Sequence, residues 1–141
     1  MPFCSSVRIS SLAATVVATV LAAVPALSQA QQGMPDMQTQ GETRFVCGGI
    51  GSDESTAMRG AMKSHPLSLL FARADGAYLA DVGVTVMDAS GKAALKTRAR
   101  GPVCLVDLPA GKYTVEADDA GNVKKQMVTV GGKPATVDFR F

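Results

Sequence analysis

Met58, Met62 and His65 stand at i, i+4 and i+7, the spacing that lines up side chains along one side of a helix. Two thioethers and an imidazole are a ligand set for Cu(I), and Met34 and Met37 lie upstream as further soft donors. The same spacing puts Met58 and Met62 with Ala57 and Ala61 on the apolar face of an amphipathic helix, where thioethers fill irregular gaps. Core packing is the favoured reading, so no metal is expected and Met58, Met62 and His65 stand as the alternative metal set. His65 is the single histidine of the chain. A serine or cysteine triad would have to recruit it, and no G-x-S-x-G elbow is present. The run Gly48-Gly49-Ile50-Gly51 lacks both the Lys-Ser/Thr pair and the G-x-G-x-x-G spacing of phosphate loops, and reads as a flexible connection. Neither catalytic residues nor a cofactor is expected.

The first 30 residues carry an address rather than a fold. Met1 to Arg8 is a short basic stretch, Ile9 to Val24 is apolar, Pro25 breaks the run, and Ser28-Gln29-Ala30 offers a small-residue cleavage site. The apolar run falls short of the roughly 20 residues that span a bilayer. A secretory signal peptide over residues 1–30 is expected, with export to the periplasm or the outside. Cleavage removes Cys4 and leaves Cys47 and Cys104 in an oxidising compartment with no third cysteine to compete, so the two are expected to form a disulfide. Closing a loop of that length stabilises by roughly 4 kcal/mol on the chain-entropy estimate.

The formal net charge of the 141-residue chain is +2, and its cations are dispersed. With two tyrosines, five phenylalanines and no tryptophan to stack bases, no nucleic-acid partner is expected. Lys96, Arg98 and Arg100 alternate along one run with Lys92 nearby. Such a stripe guards a sheet edge against self-association. It is also the one candidate dock for an anionic partner, an envelope protein or a glycan.

These residues need elements to hold them. Gln31 to Glu42, QQGMPDMQTQGE, is polar and is expected to be a disordered leader. RFVC at Arg44–Cys47 is a candidate strand. Asp53 to Ser64 reads as the one helix, capped by Ser52 or Asp53, with acids at its start, Lys63 at its end, and His65-Pro66 stopping it. Beyond it, alternation recurs: Leu67, Leu69 and Phe71; Val82, Val84 and Val86; Leu95, Thr97 and Ala99; then Ala135, Val137, Phe139 and Phe141. Asp88-Ala89-Ser90-Gly91, Asp118 to Asn122 and Gly131-Gly132-Lys133 are turns. Val103–Leu108 and Lys112–Ala117 read as a hairpin closed by Leu108, Pro109 and Gly111, with Tyr113 just after the turn. Evenly spaced short strands of this kind indicate an antiparallel β-sandwich of about seven strands, with one short helix.

VGVTVMDASGKAALKT, then GPVCLVDLPAGKYTVEA with its Leu-Pro-x-Gly-x-Tyr core, then VTVGGKPATVDFRF, make the segment from Tyr78 to Phe141 resemble the carboxypeptidase regulatory-like, or prealbumin-like, β-sandwich. GGIGSDE and SHPLSLLFARADGAYLADV are similar to the amino-terminal part of small exported proteobacterial proteins with this domain. The resemblance implies that the Tyr113 hydroxyl ties the turn to its strand, as in a tyrosine corner. It specifies a fold and no activity. The enzymes of this fold group use parts that this sequence lacks: the several histidines of 5-hydroxyisourate hydrolases, the two histidines of intradiol dioxygenases, the His-x-x-Glu of zinc carboxypeptidases. The expectation is therefore a non-enzymatic, exported, monomeric sandwich over residues 43–141 with a binding or accessory role at the cell envelope. A copper-binding protein is the alternative, and a small hydrolase the more remote one.

Overall fold

A computed structural model describes residues 33–141, so the expected signal peptide of residues 1–30 lies outside the described residues. The elements run β1 (Gln38–Gln40), β2 (Thr43–Gly48), α1 (Ser52–Ala61), β3 (Leu67–Ala72), β4 (Val82–Met87), β5 (Ala93–Ala99), β6 (Val103–Asp107), β7 (Gly111–Asp119), β8 (Asn122–Val130) and β9 (Ala135–Arg140). They form an all-β sandwich with one short helix. One sheet has the order β1-β2-β6-β3-β9, the other β5-β4-β7-β8.

The alternating strands behave as their patterns require. Leu67, Leu69, Phe71, Val82, Val84, Val86, Leu95, Val137 and Phe139 are buried between the sheets. Phe71 and Phe139 stack with centroids 5.8 Å apart, a pairing worth about 1 kcal/mol beyond area burial. β8 is an outer strand: Val128 and Val130 turn inward, whereas Val123 and Met127 face water.

Helix α1 makes a third layer. Val46, Val103 and Leu105 project from the far face of the first sheet and bury Met58, with Ala61, Met62 and Leu70 packed around them. This explains why β3 and β6 are largely buried on both faces: one face meets the second sheet and the other meets the helical segment. Gly48 lies at the tightest point of that packing. A Cβ there would strike the Glu54 carboxylate and come within 3.0 Å of Met58 Sδ. Backbone approach also demands glycine at Gly101, where a Cβ would collide with the Gly48 backbone. Of the expected flexible connection at Gly48–Gly51, Gly48 and Gly49 are closely packed, whereas Ile50 is exposed and Gly51 faces open space.

Four expectations need correction. The Leu108-Pro109-Ala110-Gly111 turn does not close a hairpin: β6 belongs to the first sheet and β7 to the second, so the chain crosses the sandwich there. The leader expected to be disordered contains β1, because Gln38–Gln40 pairs with Thr43–Phe45 through backbone bonds that need no apolar side chains. Nine strands are present among the described residues, and β3 and β9 pair in parallel, Leu67 opposite Ala135 through Ala72 opposite Arg140. The helix is shorter at its end: Met62–Ser64 tightens into a 3-10 turn, and Gly51 at φ 88° caps the start with no side-chain bond, in place of Ser52 or Asp53. Glu54 turns back to accept the Gly49 N–H at 2.8 Å.

Both sides of the sandwich are stitched by a glutamine. Gln40 on β1 accepts the Lys96 N–H at 2.7 Å and donates to the Lys96 carbonyl at 3.1 Å, so its amide acts as one more strand residue beside β5. At the opposite side, Gln126 on β8 donates to the Asp138 carbonyl of β9 at 2.8 Å.

Candidate functional site

A cleft opens where β1 stops short. That strand covers β2 only as far as Phe45, leaving the edge of Val46, Cys47 and Gly48 without a neighbouring strand among the described residues. Across the gap stands β5, the outer strand of the second sheet. Between the two edges is a cleft of about 670 Å³, lined among others by Cys47, Ile50, Glu54, Asp81, Arg98 and Arg100.

Charge in this cleft is arranged unevenly. Asp81 sits in the left-handed region at φ 65° just before β4, where its N–H donates to the Ala99 carbonyl at 2.6 Å. This turns its carbonyl and carboxylate toward Arg98. Arg98 Nη1 donates to the Asp81 carbonyl at 2.7 Å and lies 3.2 Å from Asp81 Oδ1. An exposed pair like this adds at most about 1 kcal/mol, so its consequence is orientation rather than stability. Arg100 has no ion-pair partner among the described residues. Glu54 on the opposite wall is occupied with the Gly49 amide. The exposed Ile50 supplies an apolar rim.

The wall behind is rigid. Cys47 and Cys104 are direct cross-strand partners on β2 and β6, bridged Sγ to Sγ with Cα atoms 4.1 Å apart. The expected disulfide is therefore present, pinning two adjacent strands across a separation of 57 residues.

The remaining sequence-derived residues fall elsewhere. Lys96 and Arg98 lie on the edge strand β5, Arg100 follows just past its end, and the two arginines also line the cleft. Met58 and Met62 belong to the layer beneath α1. His65 is outside the helix in extended conformation, φ −117° and ψ 146°, since a residue before proline avoids helical angles. The i, i+4, i+7 geometry therefore ends before reaching His65, whose Nδ1 lies 2.6 Å from Asp107 Oδ1. Tyr113 is buried, and its hydroxyl donates to the Pro109 carbonyl at 2.7 Å, so the tie between turn and strand is made across a sheet-crossing corner. Leu108 is buried at the same corner.

Sequence reasoning did not find Ile50, Glu54 or Asp81 as cleft residues. A signal existed only for Asp81, an aspartate opening a strand, a residue type that tolerates the left-handed region. No family model matches this chain, and a search of curated proteins returns no match.

Proposed function

We propose that this chain is an exported accessory domain of the cell envelope, of the carboxypeptidase regulatory-like kind, that works by binding a partner rather than by transforming a substrate. Its binding site is the cleft between the free edge of β2 and the Arg98–Arg100 end of β5. The observation that carries this reading is the pair of guanidinium groups facing that cleft, one oriented by Asp81 and the other without an ion-pair partner among the described residues. A guanidinium oriented as Arg98 is, with a second cation beside it, recognises carboxylate or sulfate groups by paired N–H donation. The cross-strand disulfide supports residence in an oxidising compartment.

In-cell photo-crosslinking tests the reading. A photoreactive residue at Ile50, on the cleft rim, yields a discrete adduct in the envelope fraction, and one at Val123, on the outer face of β8, yields none. Equal labelling at both positions, or no adduct at Ile50, contradicts the reading.

A further inference from the structure

A second, smaller cleft lies where the 3-10 turn after α1 meets the β8–β9 connection. It measures about 280 Å³ and is lined by Lys63, His65, Gly131, Gly132 and Lys133, with apolar Leu108 and Val130 as part of its wall. Beside it is a depression of about 590 Å³ lined by Arg59, Met62, Lys63, Lys133, Pro134 and Thr136. Lys63 and Lys133 line both, although 70 positions of sequence separate them.

The fold brings these cations together. The parallel pairing of β3 with β9 sets the segment before Leu67 beside the segment before Ala135, and the Ala135 N–H donates to the Pro66 carbonyl at 3.0 Å. Among the described residues no aspartate or glutamate lines either depression, and neither lysine has an ion-pair partner. Like charges held close repel, and a bound anion relieves that repulsion. The one carboxylate tied to the site is Asp107, whose Oδ1 is taken by His65 Nδ1 at 2.6 Å. That bond fixes the imidazole and leaves Nε2 as the ring nitrogen available to a ligand. Arg59 is held 4.3 Å above the Tyr78 ring, adding positive charge at the outer margin.

We infer that Lys63, His65 and Lys133 form a binding site for a phosphate monoester group, distinct from the β2–β5 cleft. Two ammonium donors line one small concavity from two directions, which suits a compact tetrahedral anion with several acceptor oxygens, and His65 Nε2, with the ring proton given to Asp107, can accept from a protonated oxygen of the ester. The phosphate belongs either to a soluble ester or to a lipid headgroup.

Titration of the exported protein with inorganic phosphate, followed by amide and imidazole NMR signals at constant ionic strength, tests the site. Saturable shifts are expected at Lys63, His65, Gly132 and Lys133. Lys63→Ala and Lys133→Ala each weaken binding by about fivefold, whereas Lys63→Arg and the remote Lys112→Ala do not. Cosedimentation with phosphatidylcholine vesicles containing phosphatidic acid separates the sources. Binding that needs phosphatidic acid and is lost in the Lys63→Ala, Lys133→Ala double variant assigns the headgroup. Phosphate shifts without vesicle binding assign a soluble ester. Absence of saturable shifts, or shifts unchanged in the double variant, overturns the site.

Discussion

The Tyr113 hydroxyl donates to the Pro109 carbonyl at 2.7 Å, fastening the corner at which the chain leaves one sheet and enters the other. Burial raises the Tyr113 phenol above the ordinary value of 10.0, with the nearby Asp88 charge adding to it. Tyr113→Phe removes the bond while keeping the ring, and is expected to lower stability by about 1 kcal/mol in urea unfolding. The sign of the pH effect follows from the raised value. The folded state holds its proton where the unfolded state has lost it, so this stabilisation is complete below pH 10 and is lost as pH rises through the folded value. The alkaline decline in Tm is therefore steeper for the wild type than for Tyr113→Phe.

Asp88 organises the β4–β5 turn. Its Oδ1 accepts from Ser90 Oγ at 2.6 Å, Ser90 N–H at 2.9 Å and Lys92 N–H at 3.0 Å. The Ser90 side chain chiefly, and those amides with the Lys92 charge, hold its carboxyl below the ordinary 3.8 against a weaker opposing effect of desolvation. A depressed folded value means stabilisation present above the unfolded value and lost as pH falls through the folded one. The difference in Tm between wild type and Asp88→Ala is expected to be constant near neutrality and to shrink as pH falls below 3.8 and through the folded value. Thermal melts across an acid series measure it.

The Cys47–Cys104 bridge closes a loop of 57 residues, so replacing both cysteines by alanine is expected to lower stability by about 4 kcal/mol. That is a large fraction of the 5–15 kcal/mol, roughly, that holds a small domain together. Denaturant titration of the double variant against oxidised wild type measures it directly.

The β7–β8 hairpin turns through Ala120 and Gly121, both at positive φ, 50° and 92°. Gly121 suits that geometry and Ala120 does not. Ala120→Gly or Ala120→Asn is therefore expected to raise stability by about 1 kcal/mol, measured as a shifted denaturant midpoint at unchanged slope.

The parts of this fold legible in the sequence are those with local causes. Alternation in Val82-Val84-Val86 and Val137-Phe139 marks strands with one buried face, and Pro66 marks the stop before β3. The parts missed depend on distant partners. A strand, a Leu-Pro-x-Gly turn and a second strand look the same in sequence whether they pair together or part company. What separates β6 from β7 is that β6 has β2 and β3 on its two sides. Nor does QTQ announce a strand, because its bonds are backbone bonds and the Gln40 amide finds Lys96 at a separation of 56 residues. In the cleft, Arg98 and Arg100 stand out as cations on an alternating run. Glu54, Ile50 and Asp81 come from three other segments and converge only in the folded chain.

Partner binding at the β2–β5 cleft is the claim on which the functional account stands. Capture from envelope extract by immobilised wild-type protein and by the Arg98→Ser, Arg100→Ser double variant, matched for Tm, measures it most directly. A discrete partner retained by the wild type and lost by the variant is the predicted result. The same partner held equally by both, at equal stability, contradicts it.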